Sequence, residues 1–269
     1  MQGVGLYGRS HDREGQSGRT GMRATSELGS GVSCDATCAP WRRESWGRCR
    51  LDSLARYLQD IAKDDGQDTG VTGNDLHGWV VRRTLIDVYA FPTYLQRLSL
   101  ATWVAGLGSH WAERRTQMSD ESGRVLVDAA AIWVHIDMTT MRPKALTPTL
   151  HDVWGTSTGG REVGARQVVK PSMVRASGAP HTSSTWVTRF SDFDALEHMN
   201  NAAYWEIMEE QMITSRHLRE NVRFLVEHHD GITPGAHVEV HRFDVSPSEV
   251  TLLVEADGNV QAGMWFGSR

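Results

Sequence analysis

Ser191-Asp-Phe-Asp-Ala-Leu-Glu-His-Met-Asn-Asn-Ala-Ala-Tyr-Trp-Glu206 is the densest polar cluster in the chain. Asp192, Asp194, Glu197, His198, Asn200 and Asn201 crowd a stretch that separates a predicted strand from a predicted helix. A loop at the end of an element can aim side chains into a cleft without breaking a sheet. A carboxylate near an imidazole can fix its tautomer and stabilise its charged form. Asn side chains and the amides that open a helix can donate to a developing oxyanion. The same residue types also cap helices. Chemistry alone therefore leaves a catalytic loop and a simple capped helix equally open.

Reading outward, residues 201–215 have helical spacing, with Ala203, Ile207, Met208, Met212 and Ile213 near one face. Residues 184–190 before the cluster read as a short strand, and 222–228, 237–243, 250–256 and 260–266 after it read as strands. Asp257-Gly-Asn259 is a tight turn. An equivalent order comes earlier. Leu51, Leu54, Ala55, Leu58, Ile61 and Ala62 line one face of a helix, and Asp64-Asp65-Gly66 reads as its polar stop. Strands follow at 79–89, 97–105, 111–118 and 124–136, the last two joined by the turn Ser119-Asp-Glu-Ser-Gly123. In each half a proline, Pro92 or Pro234, stands before the alternating strand. The pattern predicts a tandem duplication of class α+β, each half one long helix on one antiparallel sheet. Two such halves can pair their sheet edges into one continuous sheet. The expected divisions are a disordered tail at 1–45, a first half at 46–148, a linker at 149–182 and a second half at 183–269. The first half shows no recognisable opening strand before Arg48, so an incomplete sheet is expected there.

The chain has 269 residues, with 28 Lys+Arg against 33 Asp+Glu and a net charge of −5. That balance argues against a nucleic-acid binder, which needs a basic surface. No apolar run approaches the ~20 residues of a membrane span. Cys34, Cys38 and Cys49 are too few and uneven for a disulfide framework, and a cytoplasmic setting is the expectation. Glu227-His-His-Asp230 looks like a metal cluster, but successive strand residues alternate faces, so His228 and His229 cannot share one ion. No metal and no cofactor is expected. Arg82-Arg83 and Arg114-Arg115 read as solvated strand faces, with contact to an acidic partner as the rival reading. Trp79, Trp103, Trp111 and Trp133 read as core or sheet-face residues.

The cluster also resembles a known pattern. Asp192-Phe-Asp194, His198-Met-Asn-Asn201, Tyr204-Trp205 and Glu210 resemble the second hot-dog half of acyl-acyl-carrier-protein thioesterases of bacterial type. Arg50-Leu-Asp-Ser-Leu-Ala-Arg-Tyr-Leu-Gln-Asp60 is similar to the first central helix of that family. Trp79-Val-Val-Arg-Arg83, Ser122-Gly-Arg-Val125 and Trp133-Val-His-Ile-Asp137 are similar to its strands, and the likeness runs from about Arg48 to Phe266. The resemblance implies a tandem hot-dog fold and hydrolysis of the thioester between a fatty acyl chain and its carrier protein. In plant members the proposed site is an Asp-x-Asn-x-His run plus a later acidic residue. Asp194 and His198 take the first and last places of the run, Leu196 stands in the middle, and the later place falls on Gly231 with Asp230 beside it.

The mechanism this implies makes His198, oriented by Asp194, a general base on water. The amides at Asn200 and Asn201 would hold the oxyanion, and Asp230 would position the water. The expected partner is acyl carrier protein, with acyl-coenzyme A as the alternative substrate and a homodimer as the alternative to a monomer. Leu196 and the missing acid keep open a catalytically impaired acyl-binding protein. A dehydratase is disfavoured, since it needs an acid on the central helix and only Glu206 and Glu210 are loose fits.

Overall fold

The computed structural model describes the backbone of residues 23–24 and residues 32–38, 47–68, 77–215, 218 and 220–269. The described strands form one twelve-stranded antiparallel sheet. Its first half comprises β1 (Arg23–Ala24), β2 (Val32–Thr37), β3 (His77–Ala90), β4 (Arg97–Leu107), β5 (Trp111–Ser119), β6 (Val125–Asp137) and the short β7 (Arg142–Pro143). The second half comprises β8 (His181–Trp186), β9 (Glu220–His228), β10 (Val238–Ser246), β11 (Glu249–Ala256) and β12 (Asn259–Ser268). Across the sheet the order is β1-β2-β4-β5-β6-β3-β9-β12-β11-β10-β8, with β7 paired to β6. Apart from the short β1 and β7, numbering the strands within each half gives the same order twice, 1-3-4-5-2 read inward from each edge. This is a tandem hot-dog architecture of class α+β.

The seam between the halves is the antiparallel pair β3–β9, with Ile86 opposite Phe224 and Val88 opposite Val222. All four are fully buried under the helices. On the outer face Asp87 accepts two hydrogen bonds from Arg223, at 2.7 and 2.8 Å. Pairing β3 with β9 removes the edge that each half would otherwise expose.

Two long elements run on the inner face. Helix α1 (Leu51–Asp68) buries Leu51, Leu54, Leu58 and Ile61, as its spacing predicts. It does not stop at Asp64-Asp65-Gly66. Asp65 is fully buried and its carboxylate lies 2.7 Å from Arg114 of β5, so what reads as a polar stop is a partnered core group. Helix α4 (Ala203–Gln211) buries Ala203, Tyr204, Trp205, Ile207 and Met208 and continues as a 3-10 turn over Met212–Thr214. Glu209 of α4 reaches the open end of α1, where the Leu51 N–H donates to it at 2.8 Å and Arg48 pairs with it at 2.7 Å. A carboxylate there satisfies an orphan amide and meets the positive end of the helix dipole.

Between the halves, α2 (Pro148–Thr158) and α3 (Pro171–Arg175) replace the structureless linker that the lack of period suggests. Thr147 caps α2, Pro148 fills its first turn, and Gly159 ends it at φ +55°. Leu150 and Trp154 of α2 pack on Val104, Leu107 and Ala112. The opening strand of the first half does exist: β2 pairs with β4, Cys34 lying opposite Leu100. Residues 32–38 thus depart from the tail expected for 1–45, while 1–22, 25–31 and 39–46 lie outside the described residues. Val32-Ser-Cys-Asp-Ala-Thr37 is short and polar, and its pairing with β4 orders it more than its own composition does.

Candidate active site

The loop after β8 is built by its own acids. Arg189 donates from its backbone N–H and its Nε to Asp192, which is only 2% exposed. The Asn200 N–H returns to the Asp192 carbonyl at 2.7 Å, closing the loop. Asn200 Oδ1 accepts from the Ala202 N–H at 2.9 Å, an Asx turn just ahead of α4. Asn201 points elsewhere and lines a cavity beneath α1.

His198 is half-buried and its ring leans on the backbone of Gly231. A Cβ at position 231 would sit 2.6 Å from His198 Cγ and 2.7 Å from Cδ2. The next residues lock the same two segments: the Met199 N–H donates to the Ile232 carbonyl at 2.8 Å. Tyr204 of α4 supports this junction from below. Burial pushes its hydroxyl up to about 12, against a hydrogen bond with the Ile232 backbone. The Tyr204 ring meets His228 edge-on at 4.8 Å between centroids. Burial, helped by the charges of Arg82 and His229, pushes the His228 imidazole down to about 3. His228 is thus a neutral ring in the floor of the site.

The expected pairing of Asp194 with His198 is not formed. The Asp194 carboxylate is exposed and accepts the Leu196 N–H at 2.9 Å, while the Glu197 N–H donates to the Asp194 carbonyl. Glu197 takes φ +58° to complete this turn. Among the described residues no side-chain hydrogen bond joins Asp194 to His198. The acid is spent on folding the loop, and the packing of Gly231 orients the imidazole instead. Asp230 is exposed on the turn beyond β9. Leu196 is 54% exposed and offers no polar group. Glu206 pairs with Arg189, Arg50 and Arg56, so it is neutralised on the outer side of α4. Glu210 is exposed.

Of the Glu227-His-His-Asp230 run, Glu227 accepts the Val168 and Val169 N–H groups on the outer face. His229 bonds Gln167 on that side while His228 faces α4. The arginine pairs are not solvated faces. Arg114 pairs with Asp65, Arg115 with Asp128 and Arg83 with Glu227.

The cavity beside Asn201 is narrow, about 20 Å³, and is walled by Leu58, Val81, Thr84, Ala129 and Trp205. It shares Gln59, Arg114 and Trp133 with a wider, partly open chamber of about 200 Å³, lined by Trp79, Val104, Ala112 and Trp154, with Lys63 also on its wall. Trp79 and Trp133 are therefore wall residues of a hollow and not only core. Sequence periodicity marks burial, and a hollow inside a buried face leaves no periodic signal. A larger groove of about 750 Å³ lies on the opposite face of the sheet under α3. Its charged residues are largely consumed by the Arg115–Asp128 and Arg223–Asp87 pairs.

Comparison with known proteins decides the family. Residues 43–153 match the acyl-ACP thioesterase N-terminal domain, and residues 177–261 match the acyl-ACP thioesterase C-terminal domain. The chain belongs to the acyl-ACP thioesterase family. An uncharacterized Mycobacterium tuberculosis protein is 25% identical over 186 residues, covering 69% of this chain and 72% of that one. The chloroplastic palmitoyl-acyl carrier protein thioesterase of Gossypium hirsutum is 24% identical over 57% of this chain and 40% of its own length. Two solved structures share the fold of this acyl-ACP thioesterase family member. An acyl-ACP thioesterase from Bacteroides thetaiotaomicron superposes with TM-score 0.73 at 19% identity, over 88% of this chain and 97% of that one. The 12:0-ACP thioesterase from Umbellularia californica gives 0.72 at 17% identity, over 90% and 98%.

Proposed function

We propose that this protein hydrolyses the thioester of a fatty acyl chain bound to acyl carrier protein, releasing the free acid. The observation that carries the reading is the apolar hollow beneath α1, whose narrow end is walled by Asn201, three residues after His198. An apolar slot suits an acyl tail, and a half-buried imidazole three residues ahead of its wall residue Asn201 suits the reacting carbonyl. His198 takes a proton from water as that water attacks the thioester carbon. The Asn200 and Ala202 N–H groups are engaged within the loop, so the Asn201 N–H and side-chain amide donate to the oxygen that becomes negative. The tetrahedral adduct then expels the thiolate, which takes up the proton held by His198. A thiolate is a good leaving group, so one well-placed base is sufficient help.

A second reading has specific support. Leu196 supplies no polar group, Gly231 supplies no acid, and Asp194 is engaged in its own loop. These three features suit a protein that holds acyl chains and turns over slowly or not at all. Thiol release from acyl-carrier and acyl-coenzyme A substrates separates the two. Release that is lost in His198→Ala supports the hydrolase. Tight acyl binding with no release supports the carrier. Faster turnover of the coenzyme A substrates would replace carrier protein as the partner.

A further inference from the structure

We propose that β8 is a docking edge for a second copy of this chain, the two β8 strands pairing antiparallel about a two-fold axis so that one sheet runs through both molecules. Strand β8 closes the sheet on its side and, among the described residues, pairs only with β10. That pairing runs from His181 to Trp186 without a register shift, so no bulge bends the edge away. His181-Thr-Ser-Ser-Thr-Trp186 carries no Lys, Asp, Glu or Pro, the residues that usually blunt an edge. All of it but Trp186 is exposed. Val187, the first residue beyond the strand, is 77% exposed, and Phe190 is 99% exposed. A bare strand followed by bare apolar side chains is the pattern of an interface.

The opposite end of the sheet shows what covers such an edge. In the repeated strand order β2 is the counterpart of β8, and β1 lies antiparallel against its outer side, with Arg23 opposite Ser33 and Ala24 opposite Val32. The same position in the second half holds no strand among the described residues. The occupant that fits is therefore an antiparallel strand, and charge selects which. No Lys, Arg, Asp or Glu occurs from Gly178 to Thr188. Two copies of a chain with net charge −5 thus meet along a neutral strand, whereas an acidic or basic peptide finds no counter-charge on it. Symmetry then restricts the register. A two-fold axis normal to the sheet keeps every side chain on its own face, and residues directly opposite share a face. The axis must therefore pass beside one residue in the middle of the strand, Ser183, Ser184 or Thr185, which then faces its own copy.

The test is sedimentation equilibrium of the full chain, with cysteine cross-linking to locate the join. The parent protein should fit a monomer–dimer scheme with Kd of about 10 μM or tighter. Cys34 is the half-buried native thiol, so Ser183→Cys, Ser184→Cys and Thr185→Cys are each made in a Cys34→Ser background and oxidised separately. One of the three should cross-link at least about tenfold faster than the other two, because Cα atoms that meet at the axis are within disulfide reach and those of the residues on either side are not. Ser184→Lys sets two ammonium groups against each other across the join and should weaken dimerisation by about tenfold or more. Val187→Asp should weaken it as well, and serves if Ser184→Lys fails to fold. Both positions are exposed, so the melting curves should match that of the parent. A monomer at every concentration would overturn the inference and leave the edge to another kind of strand. So would a folded variant of either kind that dimerises like the parent. Cross-linking at none of the three positions, or at all three equally, would overturn it too.

Discussion

Gly231 leaves the ring of His198 the space that any larger residue would take. A Cβ there would lie 2.6 Å from the ring carbon Cγ, well inside contact distance. The first test follows from that fit. Gly231→Ala should displace the imidazole, lower kcat by at least about tenfold, and destabilise the fold by about 1–3 kcal/mol. Steady-state kinetics and thermal melting read the two effects. A variant with unchanged kcat would show that the position of the ring is not set by this contact.

The two residues of the expected acid–imidazole pair should behave unequally. His198→Ala removes the proposed base and should lower turnover by about 10²–10⁴. Asp194→Asn keeps an oxygen that can accept the Leu196 N–H, so the loop survives and turnover should fall by less than about fivefold. Equal losses in the two variants would restore the pairing that this structure lacks.

Burial of Asp65 against Arg114 gives a prediction about stability. Asp65→Ala leaves a guanidinium in the core and should cost about 3–5 kcal/mol by denaturant unfolding. The double variant Asp65→Leu with Arg114→Leu should recover a large part of that loss. A double variant worse than the single one would mean that the pair has a further structural task.

His228 predicts how stability depends on pH. Its folded value of about 3 lies below the ordinary 6.5, so the unfolded chain binds the proton more tightly. Its contribution is complete above about pH 6.5 and is lost progressively as pH falls toward 3. The effect is on the order of a few kcal/mol. His228→Leu should flatten the fall of the melting temperature over that window. A slope as steep as that of the parent protein would assign the acid sensitivity to other groups.

The long strands and α1 are legible in the sequence because each buries one regular face, and alternation or helical spacing survives in the letters. β2 is not, because a strand of six residues near the rim of the sheet, with Ser, Asp and Thr, is ordered by its neighbour β4. Asp65 misleads for a related reason: its partner Arg114 is distant in sequence, and only the folded sheet brings them together. At the site, the resemblance puts the family's later acidic place on Gly231, while the contact of that glycine with His198 comes only from the fold. The fate of Asp194 is not, since a two-residue turn decides whether its carboxylate faces inward or closes on Leu196. Trp133 and Trp154 are legible as buried side chains, while the hollow between them is a property of packing that no local pattern encodes.

The β3–β9 seam has a practical consequence. A cut in the connecting segment between Gly178 and Ala179 would yield two fragments, each with one sticky long border and an ion-pair key, Asp87 on one and Arg223 on the other. Such pieces are natural partners for reassembly in trans, which makes this protein a scaffold for a two-part reporter. It also means that neither fragment should be made alone without guarding against clumping.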